Sequence, residues 1–193
     1  MNILYIDTTT SDLVVALIRE KDVINVSQRA MGVKHSETLC NKVTELLQTA
    51  EITFKDLDAY ACAIGPGSFT GIRIGISTIK GYATACSKPY ISVNCLEAIA
   101  YSKNCRGSGF SVIDAGNGYY FYNYQGGTLP FVISYDDEVV SVCAKADGGV
   151  DYLDGAADIV RDKFNNREFD DNLTPLYIRK SQAEINLKKA DNQ

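Results

Sequence analysis

The chain of 193 residues has no tryptophan and a single histidine, His35, and its six cysteines include no Cys-x-x-Cys pair. Zinc sites in proteins are built from several histidine and cysteine ligands at close spacing. The cysteines lie mostly within apolar patterns, which favours small buried thiols over disulfides or metal ligands. We therefore expect no metal site and no disulfide framework.

Long apolar runs are also missing. No stretch reaches the roughly 18 residues that a membrane-spanning helix needs. The apolar N-terminus is interrupted by Asp7, where a signal peptide would continue. Hydrophobic residues make up 46 % of the chain, enough to bury one or two cores. The sequence thus predicts a globular protein that stays in the cytoplasm and makes no membrane contact.

Clustered positive charge is scarce. The formal net charge is −5, and the sequence pI is about 4.9. The two adjacent basic pairs, Arg179-Lys180 and Lys188-Lys189, both lie near the C-terminal end of the sequence. A protein that holds RNA by its phosphates carries a basic stripe. The charge pattern argues against independent nucleic-acid binding.

What the chain does have is a glycine loop, Ala63-Ile-Gly-Pro-Gly-Ser-Phe-Thr-Gly-Ile-Arg-Ile-Gly75. It follows a predicted strand over 58–64 and opens a helix that Ser68 or Thr70 can cap. Free amides at such a helix start can bind an anion, so a phosphate cradle is one interpretation and a tight turn is the other. The glycine spacing matches neither the dinucleotide fingerprint nor the P-loop, and Pro66 removes an amide donor.

Hydrophobic periodicity predicts an α/β chain with two lobes, 1–106 and 107–193, divided at the glycine-containing segment 104–109. Asn94 is predicted to cap a helix, with Glu97 completing a capping box. The predicted elements are, in order, strands 3–6, 13–18 and 23–29, helix 36–48, strand 58–64, helix 70–86, strand 89–93, helix 94–102, strands 110–114, 119–124 and 131–135, and helix 152–164.

Two predicted helices have faces that suit a partner protein. One stripe of the 70–86 helix is small or apolar and uncharged, where a solvated face normally carries Lys, Glu or Gln. The 36–48 helix has an apolar arc wider than a sheet contact needs, although ordinary core packing also explains it. Small residues allow a second helix to approach closely. The candidate interface residues are Leu39, Cys40, Val43, Leu47, Thr70, Gly71, Ile74, Ser77, Thr78, Gly81 and Ala85.

The word Gly65-Pro-Gly-Ser-Phe-Thr-Gly-Ile-Arg73 resembles the signature of the bacterial TsaB (YeaZ) family. The resemblance continues in the opening Met1–Thr10, in His35-Ser-Glu-Thr-Leu39, in Val93–Ala100 and in the tail 175–183. It is close through about residue 102. It is thin between about 105 and 172, where Asp114-Ala-Gly-Asn-Gly118 stands in place of the family's usual Asp-Ala-Arg hairpin.

The resemblance implies an actin-like ATPase (ASKHA) fold in two unequal lobes, the second shortened. It also implies a non-catalytic scaffold that binds TsaD through the two helices and forms a homodimer on the same surface when alone. The pair transfers threonylcarbamoyl to the adenosine beside the anticodon of tRNA, which is contacted only through the complex. TsaE joins near the junction, where ATP is hydrolysed, and no cofactor belongs to this subunit itself.

Two enzymatic alternatives stay open at this stage. An actin-fold nucleotide-binding enzyme would use two hairpins, with Asp7, Thr8 and Thr9 in the first and Asp114 and Gly116 in the second, because carboxylates and hydroxyls can hold magnesium and phosphate. Tight turns explain the same residues. A peptidase is the weaker alternative, since His35 alone cannot form the His-x-x-x-His metal pair that the catalytic paralogue carries.

Overall fold

The computed structural model describes residues 1–29, 34–102, 110–114, 118–123, 131–133, 144–146 and 148–178. Two 3₁₀ turns, Phe54–Asp56 and Gly149–Tyr152, accompany the main elements. Those elements are β1 (Asn2–Asp7), β2 (Val14–Arg19), β3 (Val23–Asn25), α1 (His35–Thr49), β4 (Ala59–Gly65), α2 (Phe69–Cys86), β5 (Tyr90–Asn94), α3 (Cys95–Tyr101), β6 (Phe110–Asp114), β7 (Tyr119–Asn123), β8 (Phe131–Ile133), β9 (Ala144–Lys145) and α4 (Leu153–Asn165).

The first sheet has the strand order β3-β2-β1-β4-β5. Strands β1, β2 and β3 form an antiparallel meander, and β4 and β5 run parallel to β1. Strand β1 is apolar along most of its length because helices cover both faces of the sheet. The polar residues of β1 are Asn2 and Asp7 at its two ends, and Asp7 is buried as well.

Alternation along β1 separates two hydrophobic cores. Ile3 and Tyr5 point to the face covered by α3 and α4, whereas Leu4 and Ile6 point to the face covered by α1 and α2. Successive side chains of a strand point to opposite faces, so one strand serves both cores. The sheet is therefore the central layer of a three-layer arrangement.

The second sheet repeats the strand order of the first. Its order is β8-β7-β6-β9, with β6, β7 and β8 antiparallel and β9 parallel to β6. Strand β6 thus takes the place of β1, and Asp114 ends β6 as Asp7 ends β1. This repetition, with a smaller second copy, confirms the predicted actin-like α/β fold.

Helix α4 comes from the second half of the sequence but packs on the first sheet. The Arg161 Nε donates to the carbonyl of Arg19 at 2.8 Å, and Lys163 Nζ donates to the carbonyl of Ser92 at 3.0 Å. Its buried side chains join the core that contains Ile3 and Tyr5. The predicted boundary at 104–109 lies outside the described residues, and the division into two lobes at residue 106 stays a prediction.

Most predicted elements are confirmed, and the clearest difference is the third strand. It was expected over 23–29, but β3 ends at Asn25. Asn25 Oδ1 accepts the Ser27 amide at 2.7 Å, and the Ser27 hydroxyl accepts the Val15 amide at 3.1 Å. Beyond Asn25, these side-chain bonds interrupt the regular strand pairing, although the Val26 amide still donates to the Val15 carbonyl at 3.1 Å. A single bridge between Leu13 and Gln28 follows.

Asn94 caps helix α3, as predicted, because its side chain accepts the Leu96 amide at 3.0 Å. The capping box with Glu97 is not formed at this helix start, so that part of the prediction is wrong. Within the described ranges, every helix is too short or too polar to cross a bilayer.

Candidate functional site

The glycine loop lies against the turn that follows β1. Ser68 caps α2, as predicted, by accepting the Gly71 amide at 3.1 Å. Its own amide donates to the Thr9 carbonyl at 2.6 Å. A Cβ at Gly67 would collide with that same carbonyl, so the close approach requires glycine. The backbone contact favours the tight-turn interpretation over the open phosphate cradle.

Gly71 takes part in the same contact. Thr8 Oγ1 donates to the Gly71 carbonyl at 2.7 Å, and a Cβ on Gly71 would overlap the Thr8 carbonyl. Gly71 is buried. Gly71 therefore packs against the first hairpin at the start of α2, and its role at an interface stays a prediction.

Asp7 is fully buried and has hydrogen-bond partners on both carboxylate oxygens. Oδ1 accepts the Thr9 amide at 2.7 Å, and Oδ2 accepts the Tyr152 hydroxyl at 2.8 Å. Desolvation by burial raises the pKa of Asp7, and the bonds from Thr9 and Tyr152 offset only part of that effect. Burial and the negative charge of Asp7 likewise raise the pKa of Tyr152 well above its ordinary value.

The segment 148–152 closes the hairpin from the other side. The Gly149 amide donates to Thr10 Oγ1 at 3.1 Å, and the Val150 amide donates to Asp12 Oδ2 at 3.3 Å. A Cβ on Gly149 would stand 3.0 Å from Asp7 Oδ2. Protein atoms therefore occupy the space beside Asp7.

An ion-pair cluster supports this closure. Arg29 lies 2.6 Å from Asp151 and 4.0 Å from Asp12. Asp12 is nearly buried, at 4 % exposure, so its charge has little access to water. Arg29 thus links the turn after β1 with the turn before α4.

The predicted nucleotide residues are not gathered into an open site. Asp7, Thr8 and Thr9 are buried and bonded within the chain. Asp114 is exposed at the end of β6, and Gly116 lies outside the described residues. The glycine loop and segment 148–152 cover the first hairpin. Nucleotide binding by these residues stays a prediction.

Sequence reasoning missed Tyr152 as the partner of Asp7. The residue was placed only as the start of a predicted helix, and no local pattern joins it to a carboxylate 145 residues away. The aromatic side chain followed by an apolar helical pattern predicts burial but not a hydrogen-bond partner.

His35, the first residue of α1, contacts the turn that follows β1. Its Nε2 lies 3.2 Å from the Ser11 carbonyl. Across the parts of the chain that the structure describes, no three histidine, cysteine or carboxylate side chains come close enough to hold a metal ion.

The α1 arc is only partly available to a partner. Leu39, Val43 and Leu47 are buried in the core beneath α1 and α2. Their burial shows that they pack in the core, and a contact of these residues with a partner stays a prediction. Leu47, expected to face a partner helix, is 6 % exposed.

The rest of the predicted surface is accessible, and we call it the docking face. Gly81 is exposed in the middle of α2, and a Cβ there would meet nothing within 4 Å. Ile74 and Thr78 are half-buried, and the other members are exposed. The docking face consists of Cys40, Thr70, Ile74, Ser77, Thr78, Gly81 and Ala85.

A groove of about 480 Å³ runs between α1 and α2 beside this face. Leu39 supplies part of its floor. The lining consists of Ser36, Leu39, Cys40, Phe69, Thr70, Arg73, Ile74, Ser77 and Thr78. A groove of this composition, between two helices, suits apolar side chains of another protein.

An exposed aromatic cluster borders the groove. The rings of Phe69 and Tyr177 are stacked with centroids 4.6 Å apart. They are 36 % and 41 % exposed, respectively. The guanidinium carbon of Arg73 lies 4.1 Å from the centroid of the Phe69 ring.

Comparison with known proteins gives consistent matches. The family model described as "TsaD: tRNA N6-adenosine threonylcarbamoyltransferase" matches residues 28–147. The "tRNA threonylcarbamoyladenosine biosynthesis protein TsaB" of Bacillus subtilis (strain 168) is 34 % identical over 137 residues, which cover 69 % of this chain and 60 % of that protein. The protein of the same name from Escherichia coli (strain K12) is 35 % identical over 129 residues, covering 65 % and 55 %.

The solved structure "YeaZ from Pseudomonas aeruginosa" has the same fold. It aligns with a TM-score of 0.68 at 23 % identity, over 91 % of this chain and 99 % of that chain. In sequence, the chain spans less than two thirds of the length of the two curated relatives. The glycine-loop signature, the repeated sheet order and these matches lead to one assignment. The chain belongs to the TsaB (YeaZ) family, and it also matches the TsaD family model.

Proposed function

We propose that this chain is a non-catalytic scaffold subunit that binds TsaD. In that complex it supports transfer of threonylcarbamoyl to the adenosine adjacent to the anticodon of tRNA, in the cytoplasm. The relatives from Bacillus subtilis and Escherichia coli are named as tRNA threonylcarbamoyladenosine biosynthesis proteins. The observation that carries the proposal is the accessible, uncharged docking face on α2.

Gly81 is the residue of this face that most favours a close contact with another helix. A glycine in a helix interior costs about 1 kcal/mol relative to alanine. Gly75, in the same helix, packs against Thr8 and Cys62, whereas Gly81 has open space where a Cβ would lie. An exposed glycine without an internal contact suits a helix of another chain that crosses at short distance.

A structural role also agrees with the state of the first hairpin. Asp7 uses both carboxylate oxygens inside the chain, and Thr8 and Thr9 are covered. In the proposed complex, ATP is therefore bound at the junction with TsaD and TsaE, and tRNA is contacted through the complex. When alone, the chain forms a homodimer on the same face.

The experiment is light-scattering mass after mixing the chain with TsaD from the same organism. Wild type is expected to give a one-to-one complex, and Ile74→Glu is expected to lose it. An unpaired carboxylate buried at an interface costs several kcal/mol, on the order of 2 to 5. Asn165→Glu is the matched control, because Asn165 is exposed at the end of α4, on the opposite side of the sheet.

Two outcomes would contradict the proposal. Absence of a wild-type complex at micromolar concentrations would remove TsaD as the partner. An Ile74→Glu complex as stable as that of the Asn165→Glu control would show that TsaD binds elsewhere.

A further inference from the structure

Arg73 is held in a fixed orientation at the edge of the docking face. Its Nε donates to the Tyr177 hydroxyl at 2.9 Å, and its guanidinium lies over the Phe69 ring. It also lies 5.9 Å from the centroid of the Tyr177 ring. Stacking on aromatic rings is a favoured setting for the planar guanidinium group.

The support for Arg73 is itself anchored to the first sheet. The Leu176 amide donates to the Ile64 carbonyl at 2.8 Å, which ties the segment before Tyr177 to strand β4. Phe69 is the first residue of α2. Because the guanidinium is already positioned, binding a ligand here costs less side-chain entropy than for a free arginine.

The outer edge of the guanidinium is open. Among the described residues, Arg73 has no carboxylate within 4 Å, and its Nη atoms have no hydrogen-bond acceptor. The eight other residues that line the groove are uncharged. A single oriented cation therefore stands at the edge of an uncharged groove.

We propose that Arg73 is the ionic anchor of the docking face, and that its open Nη edge binds an Asp or Glu carboxylate from a helix of the partner. The inference rests on the proposed function and specifies the partner's chemistry. A guanidinium with a free Nη edge can bind a carboxylate through two parallel hydrogen bonds. The rest of the contact between the partner helix and the docking face is apolar and close, because Ile74 is apolar and Gly81 has no side chain.

The surroundings favour a protein carboxylate over a nucleic-acid phosphate. A phosphate-binding surface combines several cations, whereas among the described residues the lining of this groove has one cation, in a chain of net charge −5. A second copy of this chain is a poorer source of the carboxylate. On α1, Glu45 lies 2.7 Å from Lys42, and Glu37 lies 3.7 Å from Lys34.

The test measures the dissociation constant for TsaD of the same organism with wild type, Arg73→Lys, Arg73→Gln and Arg73→Glu. Arg73→Lys keeps the charge but lacks the planar fork. We expect both Arg73→Lys and Arg73→Gln to weaken binding by at least about tenfold. Thermal unfolding of each free variant confirms that the fold is retained.

A charge exchange separates the ionic role from a structural one. Each Asp and Glu of the TsaD helices that contact this face is changed to Arg and paired with Arg73→Glu. One such substitution is expected to restore binding to Arg73→Glu while weakening binding to wild type. A stacking role for Arg73 would produce no such rescue.

Each contrary outcome is distinguishable. Suppose that wild type binds TsaD but no substitution rescues Arg73→Glu, or that Arg73→Gln binds within twofold of wild type. Either result would overturn the role of Arg73 as an anchor and leave the proposed function standing. Arg73→Gln could instead abolish binding of the free chain to a tRNA anticodon stem-loop, or abolish only the homodimer. In either case Arg73 would bind that other ligand, and the inference would be wrong. Absence of a wild-type complex would refute the proposed function and the anchor with it.

Discussion

The Tyr152 hydroxyl donates a hydrogen bond of 2.8 Å to Oδ2 of Asp7, although 145 residues separate the two. Both side chains are buried. The bond joins the end of the first strand to the turn that begins α4. It connects the two halves of the sequence beside the first hairpin.

Replacing Tyr152 with phenylalanine is expected to destabilise the protein by about 1 to 3 kcal/mol, because a buried carboxylate oxygen loses its donor. The free energy of unfolding in urea, compared with wild type, gives the value. An unchanged free energy would show that the bond contributes nothing to the folded state.

Tyr5→Phe is the matched control for that measurement. Burial and the charge of Asp7 raise the pKa of Tyr5. The Tyr5 hydroxyl is equally buried, but within the described structure no atom meets the distance and angle of a hydrogen bond to it. Removing an unpartnered buried hydroxyl is neutral or stabilising. We expect Tyr5→Phe to lose less than about 0.5 kcal/mol in the same urea experiment.

The effect of Asp7 on stability should depend on pH. Its pKa is raised by burial, so the folded chain keeps a proton that the unfolded chain loses above about pH 4. Wild-type stability therefore falls as pH rises through the window between the two pKa values. The free energy of unfolding of Asp7→Asn, minus that of wild type, should increase from pH 4 towards pH 7. A constant difference would contradict the raised pKa.

Two glycines of α2 should respond in opposite ways to alanine. Gly71→Ala forces a Cβ into the Thr8 carbonyl and is expected to lower the melting temperature by several degrees. Gly81→Ala meets open space and should raise stability by about 0.5 to 1 kcal/mol through helix propensity. The measurement is the thermal unfolding of both variants. If the two melting temperatures changed in the same direction, the packing described for Gly71 and Gly81 would be wrong.

Thiol reactivity should divide the cysteines by burial. Desolvation raises the pKa of Cys95 to about 12 and that of Cys62 well above its ordinary value, so neither forms much reactive thiolate at pH 8. Cys40 is exposed on the docking face. Iodoacetamide is expected to modify Cys40 in the native protein and Cys62 and Cys95 only in denaturant, as read by peptide mass spectrometry. Rapid native modification of Cys95 would show that its core opens.

The closed first hairpin predicts that the free chain has little affinity for nucleotide. Addition of millimolar Mg·ATP should shift the melting temperature of the free chain by less than about 1 °C, since a ligand well below its dissociation constant stabilises little. A larger shift that is lost in Asp7→Ala would revive the nucleotide-binding alternative.

Local chemistry explains why much of the fold was predictable. The turn at the glycine loop and the Ser68 cap depend on neighbours within a few residues, and both predictions are confirmed. The alternating apolar pattern of β1 and the periodicity of α2 likewise depend on short windows. Those signals are present in the sequence because they do not depend on the tertiary partner.

The candidate site was harder to predict because its contacts are distant in sequence. Nothing in the pattern around Asp7 shows that Tyr152 occupies its open side. The apolar arc of α1 could serve either a core or a partner, and only the tertiary packing of the helix shows that Leu47 is buried. The open edge of Arg73 also depends on Tyr177, 104 residues further along the chain.

The packing of α4 on the first sheet has a consequence for synthesis. One face of that sheet is covered by α4, which ends at Asn165. This helix is synthesised well after the last strand of the sheet, which ends at Asn94. Until then, Ile3, Tyr5 and their neighbours are covered by α3 alone. A nascent chain stopped near residue 106 would therefore present an apolar surface suited to chaperone binding, and the first core is complete only after the residues of α4 have been synthesised.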